Sequence, residues 1–258
     1  MAKKSAVSVL LGLAASLTFS QALAQEGTIE EIIVTASKRP QTLQEVPIAV
    51  SVVTQETIER AQVNDIMDFQ TLVPSLRINQ LQTTGNTNFV IRGFGNGANN
   101  PGIEPSVGVF VDGVYRSRSA AAMADMPNVE RVEVLRGPQS TLFGKNASAG
   151  VINVVTAAPD MDGMTGSASI VAGNLNQVIV KGDISGPLSD TWGISLSGSV
   201  NQRDGYFENL SNGSLLNERD RWGVRGQLLW LPTDALTFRL IADKEEINEK
   251  CCGVGNVS

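Results

Sequence analysis

Between Pro159 and Ile247 the chain repeats one pattern that few folds can satisfy. Trp192, Ile194, Leu196, Gly198 and Val200 alternate with Gly193, Ser195, Ser197, Ser199 and Asn201. Trp222, Val224, Gly226, Leu228 and Trp230 alternate with Gly223, Arg225, Gln227, Leu229 and Leu231. The runs 178–185 and 236–243 repeat the rule. Such alternation places one set on each face of a strand. Strands are expected at 166–173, 177–187, 191–202, 221–231 and 236–247. Segments of about ten residues, apolar on one face and polar on the other, are the signature of a transmembrane β-barrel. A soluble sandwich produces a similar alternation. Two details favour the barrel. Trp192 and Trp230 flank the short turns 187–190 and 232–235, as an aromatic girdle requires, and the connection 203–220 is long and polar.

Upstream the grammar differs. In residues 128–157, Val132 and Val134 point one way and Glu133 and Leu135 the other. The run breaks at Arg136-Gly137-Pro138, passes Gly144-Lys145-Asn146, and resumes as a β-branched stretch from Val151 to Thr156. Two strands joined by a structured loop are expected; periodicity alone also allows an ordinary α/β core segment. A phosphate-binding loop fails, because Gly137 and Gly144 stand too far apart and Asn146 replaces the magnesium-binding hydroxyl. The stretch VERVEVLRGPQSTLFGKNASAGVINVVT closely resembles the plug-domain signature of TonB-dependent outer-membrane receptors, as does VFVDGVY at 109–115.

The N-terminus carries an address. Lys3 and Lys4 precede an apolar run from Ala6 to Phe19, and Ala22-Leu23-Ala24 fits a signal-peptidase site. The run falls short of the ~20 residues of a spanning helix. Residues 1–24 are therefore expected to be a signal peptide. Residues 25–45 form a polar leader with one apolar island, which reads either as the first strand of the domain or as an extended peptide ready to join a partner's sheet edge. The resemblance implies the second: Glu31, Ile32, Ile33, Val34, Thr35 and Ala36 match the TonB box, which a TonB-type energy-coupling protein would grip and pull.

Across 46–77, a strand is expected at 47–53 and two short helices at 55–62 and 64–72, with Asn64 as N-cap of the second. Val107 to Tyr115 reads as a hairpin turning at Asp112-Gly113. Residues 78–105 are rich in Asn, Gln, Gly and Thr, the composition of surface loops where binding often sits. In the family such apical plug loops face the ligand, which here implies Asn86, Asn88, Phe94, Asn96, Asn99 and Asn100. Arg92 and Arg136 match positions where plugs carry arginines that lock onto carboxylates of the barrel wall, a task suited to a bidentate guanidinium. Solvated loops and surface arginines are the plain alternatives.

The expected architecture is an α+β plug domain (46–159) followed by the first antiparallel strands of an incomplete transmembrane β-barrel (160–258). Five strands cannot close a barrel, since an open edge in lipid leaves backbone groups unsatisfied. The chain is accordingly expected to be the N-terminal part of a longer receptor, and alone to form no closed pore. Its partners would be the outer membrane, a TonB-type protein and a scarce nutrient such as a ferric siderophore, with the leader in the periplasm. A free-standing periplasmic plug-like binding module is the alternative. The net charge of −6 disfavours nucleic acid. With no histidine and only the adjacent Cys251 and Cys252, neither a catalytic site nor a metal or cofactor site is expected. The oxidation state of that pair stays open.

Overall fold

The computed structural model describes residues 31–63, 65–80, 87–95, 102–117, 125 and 128–253; the expected signal peptide lies outside them. In chain order the elements begin with β1 (Ile33–Val34), β2 (Gln41–Thr42), β3 (Val50–Thr54) and α1 (Gln55–Arg60). A 3-10 turn (Ile66–Asp68) then runs into α2 (Phe69–Leu72). There follow β4 (Leu76–Gln80), β5 (Thr87–Ile91), β6 (Phe94–Gly95), β7 (Val107–Val111), β8 (Val114–Tyr115), β9 (Val129–Arg136), α3 (Ser140–Phe143) and β10 (Gly150–Thr156). The remaining strands are β11 (Thr165–Gly173), β12 (Gln177–Ser189), β13 (Trp192–Arg203), β14 (Phe207–Glu208), β15 (Leu215–Leu216), β16 (Arg219–Thr233) and β17 (Leu236–Ile247).

The first half is built on a sheet of order β3-β9-β10-β7-β8, in which β10 pairs parallel with β7 and antiparallel with β9. Its strands β7 and β10 are apolar in near-continuous runs because both faces are covered. On one face Val132 and Val134 join Val53, Ile66, Phe69 and Ile91 beneath the helices and the small β4-β5-β6 sheet. On the other, Leu135 joins Val34, Ala36, Phe110, Ala147 and Val151. Each fully buried aliphatic side chain contributes roughly 1.5–3 kcal/mol. The turn between β7 and β8 has Asp112 and Gly113 at φ 48° and 79°, the doubly positive φ of a tight type I′ hairpin.

The helices differ from expectation in one respect. The cap before the 3-10 turn is Asp65, whose side chain accepts from the Met67 amide at 2.7 Å while Asp68 accepts from the Asp65 amide at 3.1 Å. This reciprocal capping box explains the later start; Asn64 lies outside the described residues. The strand expected at 47–53 begins only at Val50, where pairing with Leu135 starts.

The second half is an antiparallel meander of order β11-β12-β13-β16-β17, matching the expected strands within two residues at each end. Its burial pattern separates the two readings of the alternation. Ser195, Ser197, Ser199 and Asn201 are buried against the first half, while Ile194, Leu196 and Val200 are exposed. Ile170 and Leu240 are 76% and 69% exposed. A sandwich would bury its apolar face; this sheet exposes it, as a lipid-facing wall does. Trp192 and Trp230 are register partners, stacked with centroids 5.2 Å apart. Among the described residues the five strands form an open sheet, not a closed barrel.

Candidate functional site

The segment Glu31–Ala36 is not an isolated extended peptide. Ile32 and Ile33 are exposed, but Val34 and Ala36 are fully buried in the second core cluster. β1 closes a small hairpin on β2, with Ile33 opposite Thr42 and Val34 opposite Gln41. The intervening turn is bonded from the Lys38 amide to the Thr35 carbonyl at 2.8 Å. Lys38 Nζ lies over the rings of Phe143 and Phe110, at 4.8 and 5.2 Å, adding a cation–π contact. Thr35 is held hardest. Its amide donates to Glu133 Oε1 at 2.9 Å, and its hydroxyl donates to the same oxygen at 3.2 Å. The β-prone apolar run Ile32-Ile33-Val34 gives this segment its strand character, but nothing local reveals that Glu133, almost a hundred residues on, faces it.

The wall meets the first half through a buried charge network. Arg221 Nη1 donates to Asp65 at 3.0 Å and to Asp125 at 3.5 Å, and Nη2 donates to Glu249 at 3.1 Å. Arg219 pairs with Asp65 and Glu249, each at 3.2 Å. Asn201 Nδ2 donates to Asp125 Oδ2 at 2.6 Å, and Ser199 donates to the Asp125 carbonyl at 2.9 Å. At the β7–β8 turn, the Asp112 carboxylate accepts from the Thr156 amide and hydroxyl at 2.9 and 3.0 Å and pairs with Arg225. Arg239 lies 3.9 Å from Asp112 and donates to the carbonyls of Thr156 and Ala157 at 3.0 and 3.2 Å. The tight turn thus projects a carboxylate onto the arginines of two wall strands. Sequence reading missed these partners. The available signal was an arginine on the polar parity of a membrane strand, as at Arg225 and Arg239, which demands a counter-charge.

Asp125 shows the cost of this burial. Desolvation pushes its carboxyl above the ordinary value, outweighing the neighbouring Arg221 and the Asn201 hydrogen bond. A carboxyl that binds its proton more tightly when folded contributes stability present below its unfolded pKa and lost as pH rises through the folded value. Asp125→Asn, isosteric and uncharged, removes that loss. Urea midpoints of both proteins between about pH 4 and pH 7 are expected to diverge in the variant's favour as pH rises; a constant difference would contradict the assignment.

The other expected site residues are placed as follows. Arg92 is exposed with φ 52°, and its amide donates to the Ser75 carbonyl at 2.8 Å. Arg136 is half-buried, and its amide donates to the Ala49 carbonyl at 2.9 Å. Neither makes an ion pair within the described residues. Phe94 is 73% exposed and Asn88 is half-buried opposite Asn79; Asn86, Asn96, Asn99 and Asn100 lie outside the described residues. Cys251 and Cys252 form a disulfide with each other. Asn217 grips the following turn, accepting from the Gly253 amide at 3.0 Å and donating to the Gly253 carbonyl at 3.2 Å.

The family model described as TonB-dependent Receptor Plug Domain matches residues 42–151. The chain is 31% identical over 219 residues to the iron-regulated outer membrane virulence protein of Vibrio cholerae, covering 77% of this chain and 31% of that protein. It is 26% identical over 205 residues to the ferrioxamine B receptor of Salmonella typhimurium, covering 77% and 27%. Among solved structures it resembles the ferric yersiniabactin uptake receptor FyuA from Yersinia pestis, with TM-score 0.70 and 27% identity over 77% of this chain and 31% of that one. The chain therefore spans less than a third of the length of these relatives.

Proposed function

The chain belongs to the TonB-dependent receptors, and on that premise we propose that it forms the plug and the first wall strands of an outer-membrane transporter for a ferric siderophore. The iron reading rests on the names of the relatives, which include an iron-regulated protein, a ferrioxamine B receptor and a ferric yersiniabactin uptake receptor. One observation carries the mechanical part: the plug is fixed to the wall by buried ion pairs on one side, while residues 33–36 are laid on its other face. In this reading residues 1–24 are removed on export, 25–45 lie in the periplasm, 46–159 fill the barrel, and 160–258 begin its wall.

Ligand binding outside frees Glu31, Ile32, Ile33, Val34, Thr35 and Ala36, and a TonB-type protein adds its own strand to them. Main-chain hydrogen bonds loaded together carry a pulling force that a few side-chain contacts would not. Arg92 and Arg136, without a carboxylate partner in the described residues, are assigned to pair with carboxylates elsewhere on the inner wall. Exposed Phe94, with Asn86, Asn88, Asn96, Asn99 and Asn100, is assigned to the ligand-facing loops. The exposed apolar face of the wall disfavours a soluble periplasmic binding module, and no catalytic role is assigned.

Deleting residues 31–36 from the full-length receptor is expected to reduce uptake of labelled ferric siderophore to the level of cells lacking the TonB-type protein, while surface binding persists. Uptake that survives the deletion would refute coupling through this segment.

A further inference from the structure

We propose that Glu133 is an internal edge-blocker: it holds the leader segment docked by occupying the Thr35 backbone amide, the donor that an added partner strand would need. The inference rests on the reading of 31–36 as the coupling segment. The Glu133 side chain is fully buried, beside Leu135 and the apolar second cluster, on the sheet face that the leader covers. A buried carboxylate is tolerated only when its oxygens are matched by donors. Arg131 Nε supplies one at 2.8 Å, and Asn153 Nδ2 another at 3.1 Å. Both lie on β9 and β10, within the sheet itself. Thr35 supplies the rest, through its amide at 2.9 Å and its hydroxyl at 3.2 Å. Asn153 Nδ2 also donates to the Thr35 hydroxyl at 3.2 Å, closing a ring of three side chains.

Two consequences follow from this geometry. Undocking the leader strips a buried carboxylate of its Thr35 donors, so release is opposed by the electrostatics of the plug interior as well as by burial of Val34 and Ala36. Strand addition at Thr35 also requires the amide proton that Glu133 accepts, so the docked state and the partner-bound state exclude each other at this residue. The burial of Val34 and Ala36 alone would hold the segment without this exclusion. Glu133 sets the population of the released state and so acts as a positioning residue.

The test uses the full-length receptor without ligand and, as probe, the purified periplasmic domain of the host's TonB-type protein. Glu133→Gln keeps the shape but removes the charge that strengthens the bond to Thr35. E133Q is expected to bind the probe about tenfold more tightly than the unsubstituted receptor, and to be cut faster by protease within residues 31–45. Thr35→Val, isosteric and outside the sheet, removes only the hydroxyl contacts; it should shift both readouts in the same direction by a smaller factor, and it serves if E133Q does not fold. Unchanged probe affinity and unchanged cleavage in both variants would overturn the proposal. Probe binding to a receptor lacking 31–36, at undiminished affinity, would instead overturn the coupling reading beneath it.

Discussion

Arg221→Met is expected to destabilise the plug–wall unit by about 3–5 kcal/mol. Arg221 is almost sealed from solvent, and its guanidinium stands among Asp65, Asp125 and Glu249. Methionine fills much of the same volume but takes the guanidinium away from three carboxylates; Arg219 still reaches Asp65 and Glu249, while Asp125 is left with the neutral Asn201 donor. Removing one member of a buried network costs far more than the network's net worth, because a carboxylate left buried without its cation, here Asp125, is uncompensated. The comparison that isolates this effect is Arg60→Met. Arg60 also pairs with a carboxylate, Glu56 at 3.1 Å, but both side chains are more than 70% exposed. An exposed helical pair of that kind contributes only about 0.3–0.5 kcal/mol. Urea titration read by protease resistance of residues 128–157 should separate the two variants widely. Near-equal midpoints would mean that the wall and plug are not held by the arginine network.

Gly150→Ala carries the second large effect, about 3 kcal/mol, the upper end of the overpacking range. Gly150 begins β10 opposite Arg136. A Cβ there would stand 2.5 Å from the Leu135 carbonyl oxygen and 2.7 Å from Ile91 Cδ1. The isoleucine can turn aside, but the carbonyl belongs to the central strand β9 and cannot move without breaking the register of both neighbours. Gly226→Ala is the matched control: it lies in β16 with open space where its Cβ would go, and it should change stability by less than about 0.5 kcal/mol. The expected order is therefore set by the neighbours of each glycine. If the two variants lose the same stability, the close approach of β9 and β10 is not as described.

The wall strands were legible in the sequence because a membrane strand separates two environments with a period of two, and each residue reports on its own side. The Asp112-Gly113 turn and the two-faced β9 were legible for similarly local reasons. The plug–wall contacts were not. Arg225 meets Asp112 and Arg221 meets Asp65 across more than a hundred residues, and no spacing rule names a partner at that distance. The same limit applies to the leader: its β-branched apolar island indicates a strand, while the carboxylate covering Thr35 is fixed by the tertiary fold. The shift of the helix cap from Asn64 to Asp65 is of a different kind. Both residues are good caps, and the reciprocal bond with Asp68 decides between them.

The stacked pair at Trp192 and Trp230 has an optical consequence. With Trp222 these are all the tryptophans of the chain, and every one lies on a wall strand. Indole emission from residues 1–258 therefore reports the wall and is blind to direct motion of the plug. Brominated lipids should quench it according to the depth of β13 and β16. Following the plug optically would need a dye of another colour placed there, and energy transfer from the native indoles to that dye would record its distance from the wall.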